Sequence, residues 1–443
     1  MRRVFLFLLL FVAVLTSAET LNLQQVREIA LRNNPTYKAA QSKTSASKWS
    51  YRQSMMGLIP NAKLEGRYRS TEPGTTLMTG DVMDYQTTYG FSASQPIFVG
   101  GSIWLGSRIS RDSWKIAEAS LQNTTLSVVA EAETKYFNVL KYRDLLAIAE
   151  KNLEYARGNE FIAKTRFESG TISQADYLQM QSDRANKEVA LLQMQNLVRV
   201  SRADLANHLQ IEGELTITPL SSEELLSEIT GVKALSQPAV EQAVTRILTL
   251  GVEQNPSLKI SSLGVSIGKK TRLIAQGQFL PSIALSYSKE WSAWEDEAHE
   301  DTATLMLNAS MSTFPMFGKF ARVQSAKYSL RQALMNHRTA EDGVRLGITN
   351  AVYTMVTAAS SVETSKIALD FSRETFRQME IRFRNNLVSA TDMLNVQIML
   401  SAAENQYSTA LYDYLEAKSG LMLLTGADQT KLLKILMAIE LED

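Results

Sequence analysis

Two acidic residues stand at matching places in the chain, Asp176 in Ser173-Gln-Ala-Asp176 and Asp392 in Ser389-Ala-Thr-Asp392. A serine three residues ahead of a carboxylate can close a capping box, each side chain binding the other residue's free amide at a helix start. A carboxylate repeated around a symmetric assembly can instead draw cations into a constriction. No other constellation offers catalysis. His208, His299 and His337 lie far apart without metal-ligand spacing. The chain has no cysteine, hence no disulfide, thiolate metal site or cysteine nucleophile. Gly101-x-x-x-x-Gly106-Ser107 lacks the lysine of a phosphate loop. The expectation is a protein that is not an enzyme and uses no cofactor or metal.

The elements that must carry those acids follow from composition. With 46 basic and 46 acidic residues there is no net field to attract nucleic acid. Residues 1–18 read as a signal peptide: Arg2 and Arg3, an apolar run from Val4 to Leu15, then Thr16-Ser17-Ala18. The expected mature chain is exported and, lacking cysteine, not lipidated. Beyond it no apolar run approaches the roughly 18 residues of a membrane helix. The nine prolines, at 35, 60, 73, 96, 219, 238, 256, 281 and 315, leave two long stretches without one. Proline inside a helix costs about 3 kcal/mol, so long helices are expected at about 104–167 and 319–384. Shorter ones are expected at about 36–57, 173–209, 257–278 and 389–424.

The chain repeats itself. Asn34-Pro35 reappears as Asn255-Pro256, Leu58-Ile59-Pro60 as Phe279-Leu280-Pro281, and Gln95-Pro96-Ile97-Phe98 as Phe314-Pro315-Met316-Phe317. Arg166-Phe167 matches Arg382-Phe383, and Ser173, Asp176, Leu178 and Gln181 match Ser389, Asp392, Leu394 and Gln397. Collinear matches of this kind indicate a tandem duplication, not a solenoid. The division is a first repeat at 19–211, an equatorial segment at 212–240, a second repeat at 241–426 and a C-terminal segment at 427–443. In each half the two shorter helices together match the long one in length, roughly 90 Å at 1.5 Å per residue.

Between the helices the apolar period falls to two. Residues 62–69, 85–94, 283–291 and 303–312 alternate apolar with polar, giving strand pairs about 61–95 and 282–313. Each is near the roughly 9–11 residues that cross a bilayer as a tilted strand. Loops 70–84 and 292–302 are polar, the latter acidic through Glu295, Asp296, Glu297, Glu300 and Asp301. Tyr68, Tyr85, Trp291 and Trp294 stand at strand ends, as in an interfacial girdle or at a soluble sheet edge. Four strands cannot close a barrel, and an open edge in lipid is prohibitive, so copies must pool their strands.

The whole pattern resembles the TolC-like family of outer-membrane efflux proteins. The resemblance rests on Leu23, Val26, Ile29 and Ala30 ahead of Asn34-Pro35, on Gln95-Pro96-Ile97-Phe98, on Arg166-Phe-Glu-Ser-Gly-Thr-Ile-Ser173 with Asp176 and Leu178, and on the duplication. It implies a mainly α fold with a small β part. Duplicated long helical hairpins would form a periplasmic α-barrel, and four strands per chain would join a trimeric 12-stranded transmembrane β-barrel in outer-membrane lipid. The implied partners are a periplasmic adaptor and an inner-membrane transporter of RND or ABC type. The chain departs from the pattern where Asn386 replaces the second tip glycine and Asn395 replaces a second acid. Phe383 and Val388 stand where some members place gating tyrosine and arginine.

At the turns two readings stand side by side. Asp176 and Asp392 either only cap, or line the pore tip with Asn395 and Phe383. Gly170, Thr171, Ile172, Asn386, Leu387 and Val388 either dock the adaptor or pack within the trimer. The competing class is a secreted coiled-coil structural or adhesive protein.

Overall fold

The computed structural model describes residues 20–70, 85–213, 215–220, 222–294, 297–385 and 387–426, with 432 and 435. The signal segment 1–18, Asn386, Glu295, Asp296 and most of 427–443 lie outside the described residues, as do the side chains of Tyr85, Trp294 and His299. In chain order the elements are β1 (Thr20–Leu21), α1 (Leu23–Asn33), α2 (Pro35–Met56), β2 (Asn61–Ser70), β3 (Tyr85–Val99), α3 (Ser102–Glu168) and α4 (Gln174–Leu209). There follow β4 (Thr216–Ile217), α5 (Ser222–Ala234), α6 (Gln237–Gln254), α7 (Pro256–Gly277), β5 (Ser282–Trp294), β6 (Glu297–Ser310), α8 (Met316–Arg384) and α9 (Ala390–Thr425). The order helix, two strands, long helix, helix thus occurs twice. Each Asn-Pro starts a helix: Asn255 Oδ1 accepts the amides of Ser257 (2.8 Å) and Leu258 (3.2 Å), and Asn34 Oδ1 accepts that of Thr36 (2.9 Å). The proline behind each asparagine has no amide to leave unsatisfied. No described helix is long and apolar enough to cross a membrane.

The chain divides into two compact units. One comprises 39–124 and 254–345 and holds the four-stranded sheet, ordered β2-β3-β5-β6 and antiparallel throughout. Residues opposite each other in such a sheet share a face. The register joins Ala62, Ala93, Tyr287 and Leu305 on one row, and Leu64, Phe91, Lys289 and Ala303 on another. That face is apolar and uncovered, with Leu64 83%, Leu305 71% and Leu307 65% exposed. Its charged pair, Lys289 and Asp301, meets at 3.1 Å, and the lysine lies 5.1 Å from the Trp291 ring centre. The opposite face carries Lys63, Glu65, Arg67, Thr88, Ser92, Ser288 and Glu290.

The strands are longer than alternation predicted. β3 runs on through Pro96, which lies beyond its last pair with β2 at Ser94 and stays opposite Ala284, with a register shift between Pro96 and Phe98. The polar stretch expected as a loop at 292–302 is largely strand: β5 reaches Trp294 and β6 starts at Glu297. Backbone pairing continues there although the side chains are charged. At the other end of the sheet, Gly100 (φ +57°) lies so close to Gly277 that an added Cβ would stand 2.1 Å from the Gly277 carbonyl oxygen. Only glycine fits that approach. Within the same unit Asp112 accepts from Ser266 Oγ (2.8 Å) and from Lys270.

The second unit comprises 20–38, 125–253 and 346 onward. Its core includes Tyr136, Leu140, Leu205, Ile247, Ile348, Tyr414 and Leu421, each no more than 1% exposed. The equatorial segment is tied to it by polar bonds. Tyr136 Oη donates to the Thr218 carbonyl (2.5 Å), Tyr414 Oη and Lys418 Nζ both donate to Glu228 (2.7 Å each), and Lys233 pairs with Glu363. Burial and the Glu228 carboxylate push the Tyr414 hydroxyl well above its usual range, so it remains a donor. Glu133, fully buried, accepts from Arg27 (2.5 Å) and from Ser419.

Candidate functional site: the two helical turns

Each turn joins a long helix to a shorter one within the second unit. α3 ends at Glu168, after which the Gly170 amide donates to the Phe167 carbonyl (3.0 Å) and the Thr171 amide to the Arg166 carbonyl (2.9 Å). This pair of bonds closes a helix around a left-handed residue, and Gly170 has φ +74°. In the second turn the Leu387 amide donates to the Arg382 carbonyl at the same 2.9 Å. The next helix then starts identically in both. Ser173 Oγ accepts the Asp176 amide at 3.1 Å, and Asp176 Oδ2 accepts from the Ser173 amide at 3.2 Å. Ser389 and Asp392 repeat the box at 3.1 and 3.3 Å. The capping reading therefore describes both aspartates, and local hydrogen bonding accounts for their spacing.

The surroundings of the two turns differ. Asp392 and Asn395 are exposed and Asp176 is half-buried. Phe383, expected at the pore surface, is instead 1% exposed in a core with Met180, Phe376, Met393 and Leu394. An aromatic ring lacking a hydroxyl gains most from that burial. Ile172 and Val388, partly buried, pack against the same core. Thr171 and Leu387 stay exposed, Leu387 at 71%, and Gly170 is exposed beside Thr171.

Arg166 joins the two turns. Its guanidinium donates to the Phe383 carbonyl and sits 4.3 Å from the Phe383 ring centre, and the residue is only 8% exposed. Burial holds its pKa below the usual arginine value. Sequence reasoning singled out Arg166 as a repeat match and missed this contact. The available signal was its spacing: Asn152, Asn159 and Arg166 recur every seven residues, with Ala156 and Ala163 between them. His208 bonds the Val128 carbonyl (3.1 Å) and His337 bonds Ser261 (2.8 Å), both as packing residues.

The comparisons with known proteins agree with this architecture. The "Outer membrane efflux protein" family model matches residues 26–209 and 250–427. Outer membrane efflux protein BepC of Brucella suis biovar 1 is 23% identical over 75% of this chain and 73% of its own. Alkaline protease secretion protein AprF of Pseudomonas aeruginosa is 24% identical over 90% of this chain and 83% of its own. Among solved structures, the transmembrane channel CusC superposes with a TM-score of 0.79 at 15% identity, covering 92% of each chain. With most of its length matched by the family model and its fold shared with such channels, the chain belongs to the outer membrane efflux protein family.

Proposed function

We propose that three copies of this chain form a passive duct that crosses the outer membrane and ends at the paired turns. The uncovered apolar face of the four-stranded sheet carries this reading. Leaving Leu64, Leu305 and Leu307 in water is unfavourable at roughly 25 cal/mol per Å² of apolar surface, whereas lipid accepts such a face. Edges β2 and β6 then need partners, and a neighbouring copy's β6 and β2 supply them, giving a closed 12-stranded barrel.

The parts take these roles. Residues 1–18 direct export and are removed after Ala18, without lipidation. Repeats 19–211 and 241–426 build the wall, with 212–240 packed against it. Asp392, with Asp176 and Asn395, sets charge at the inner tip, and the exposed Gly170, Thr171 and Leu387 meet a periplasmic adaptor. Energy comes from an inner-membrane transporter of RND or ABC type, and the duct itself performs no catalysis. The names of BepC and AprF span efflux and protein secretion, so the system is tripartite efflux or type I secretion.

The test is planar-bilayer recording on detergent-extracted protein. Discrete ion-conducting steps from a trimer are expected. A trimer or monomer that inserts in lipid without conducting would overturn the reading.

A further inference from the structure

Between α8 and α9 lies a groove of about 820 Å³ lined mostly by uncharged polar side chains. Asn350, Thr354, Thr357 and Ser361 form one side and Asn405, Gln406 and Thr409 the other, with the Tyr353 ring 44% exposed among them. Among its described lining residues the one charge, Asp413, is paired with Lys141 at 3.4 Å. The groove faces away from the equatorial segment. That segment bonds Tyr414 and Lys418 of α9 and Glu363 of α8. At about 100° per residue, Asn405 stands roughly opposite Tyr414, and Thr354 roughly opposite Glu363. Asn405 and Thr409 also border a second groove, of about 340 Å³, where Leu145, Ile148 and Met194 supply an apolar lining. Its lysine, Lys187, is paired with Asp183 at 4.0 Å. Asn152 lines this groove too, is 4% exposed, and has an Oδ1 with no hydrogen-bond partner among the described residues. A buried acceptor in that state calls for a reason.

We propose that the two grooves form a binding track for an extended, unfolded polypeptide segment in transit along the wall. The inference rests on the duct reading above, with the surface opposite the equatorial segment turned to the lumen. The spacing carries it. Asn405, Thr409 and Asp413 climb α9 by four residues, about 6 Å, per step, and Asn350, Thr354, Thr357 and Ser361 climb α8 by about 6, 4.5 and 6 Å. Groups on one side of an extended chain recur every two residues, about 6.6 Å. Polar side chains one helical turn apart therefore meet every second peptide unit. A side-chain amide donates and accepts at once, as a peptide group does, so it binds backbone without reading sequence. Apolar side chains of the segment turn across the shared border onto Leu145, Ile148 and Met194, and Asn152 Oδ1 accepts a backbone amide. Contacts that are neutral, repeated and individually weak hold a segment without trapping it, as conduction requires.

The experiment measures fluorescence anisotropy of a labelled peptide against detergent-extracted trimers. The peptide has roughly 20 residues, Gly/Ser-rich with interspersed leucines, and is therefore unfolded. Wild type is expected to bind it. Asn405→Leu/Gln406→Leu, at two exposed positions, should weaken binding about tenfold with an unchanged melting temperature. If that double variant fails to assemble, Thr357→Trp, which fills the groove from α8, decides, with the same loss expected. Wild-type affinity in the assembled variant would overturn the track. Dextran, a neutral polysaccharide, should leave the bound peptide in place, and its displacement of the peptide would assign the grooves to a glycan instead. Planar-bilayer currents of the same trimers report the duct separately, and the peptide should interrupt them about tenfold longer in wild type than in the double variant. A wild type that binds peptide but never conducts would overturn the duct reading, whereas a conducting wild type that binds no peptide would overturn the track alone.

Discussion

The two turns descend from one sequence and lead into the same capping box, yet opposite residues are buried in each. In the first, Arg166 is inside and Phe167 is 38% exposed, stacked on Tyr177 at 5.6 Å. In the second, Arg382 is exposed and Phe383 is 1% exposed. The following helices, each 36 residues long, diverge likewise: Leu178 is 52% exposed on α4, and its counterpart Leu394 is 6% exposed on α9. Duplication preserved the local hydrogen-bonding code, while packing assigned one copy to the core and the other to the surface. Arg166 and Phe383 lie where these assignments meet, each the buried member of its Arg-Phe pair.

The sharpest way to break this asymmetry is to truncate both rings. Phe383→Ala should cost about 3–5 kcal/mol because it empties a closed core site. Phe167→Ala should cost about 1 kcal/mol, the worth of an exposed aromatic stack. Denaturant titrations of the purified protein measure both, and equal losses would show that the turns are not differently packed. The shared code is tested by the caps. Ser173→Ala and Ser389→Ala should each cost about 1 kcal/mol, and by the same amount, since the two boxes have matching geometry.

The smallest expected effect concerns Asp183 on α4, whose repeat counterpart is the exposed Met399. Burial raises the Asp183 carboxyl above its ordinary value of 3.8, and Lys187, 4.0 Å away, offsets only part of this. The folded state therefore holds this proton more tightly than the unfolded chain. Its contribution falls as pH rises from about 4 through the raised folded value. Asp183→Asn should melt slightly above wild type at neutral pH and equal to it near pH 4. A variant no more stable at neutral pH would contradict the burial effect.

Much of this was legible in the chain itself. The Asn-Pro starts, the Ser-x-x-Asp boxes, Gly170 and the proline-free stretches are local codes, and each produced its element within a few residues of the expected bounds. Period-two alternation located the four strands. It missed their full length, because backbone pairing extends through Pro96 with a bulge and through the charged residues after Trp291. The buried bond from Asn159 to Gln397 was not legible either, since Gln397 stood out only as a repeat match and nothing marked Asn159.

The sequence by itself determined where the long helices begin, that the halves are copies, and that each acid stands where it can close a capping box. Those outcomes depend on neighbours within a few residues. Only the tertiary structure decided that Phe383 is core while Phe167 is not, that Arg166 spans two turns, and that the apolar faces of four strands align on one uncovered surface. Those outcomes need groups brought together between the two repeats, as Arg166 and Phe383 are across 217 residues, and similar local sequence cannot encode which copy faces inward.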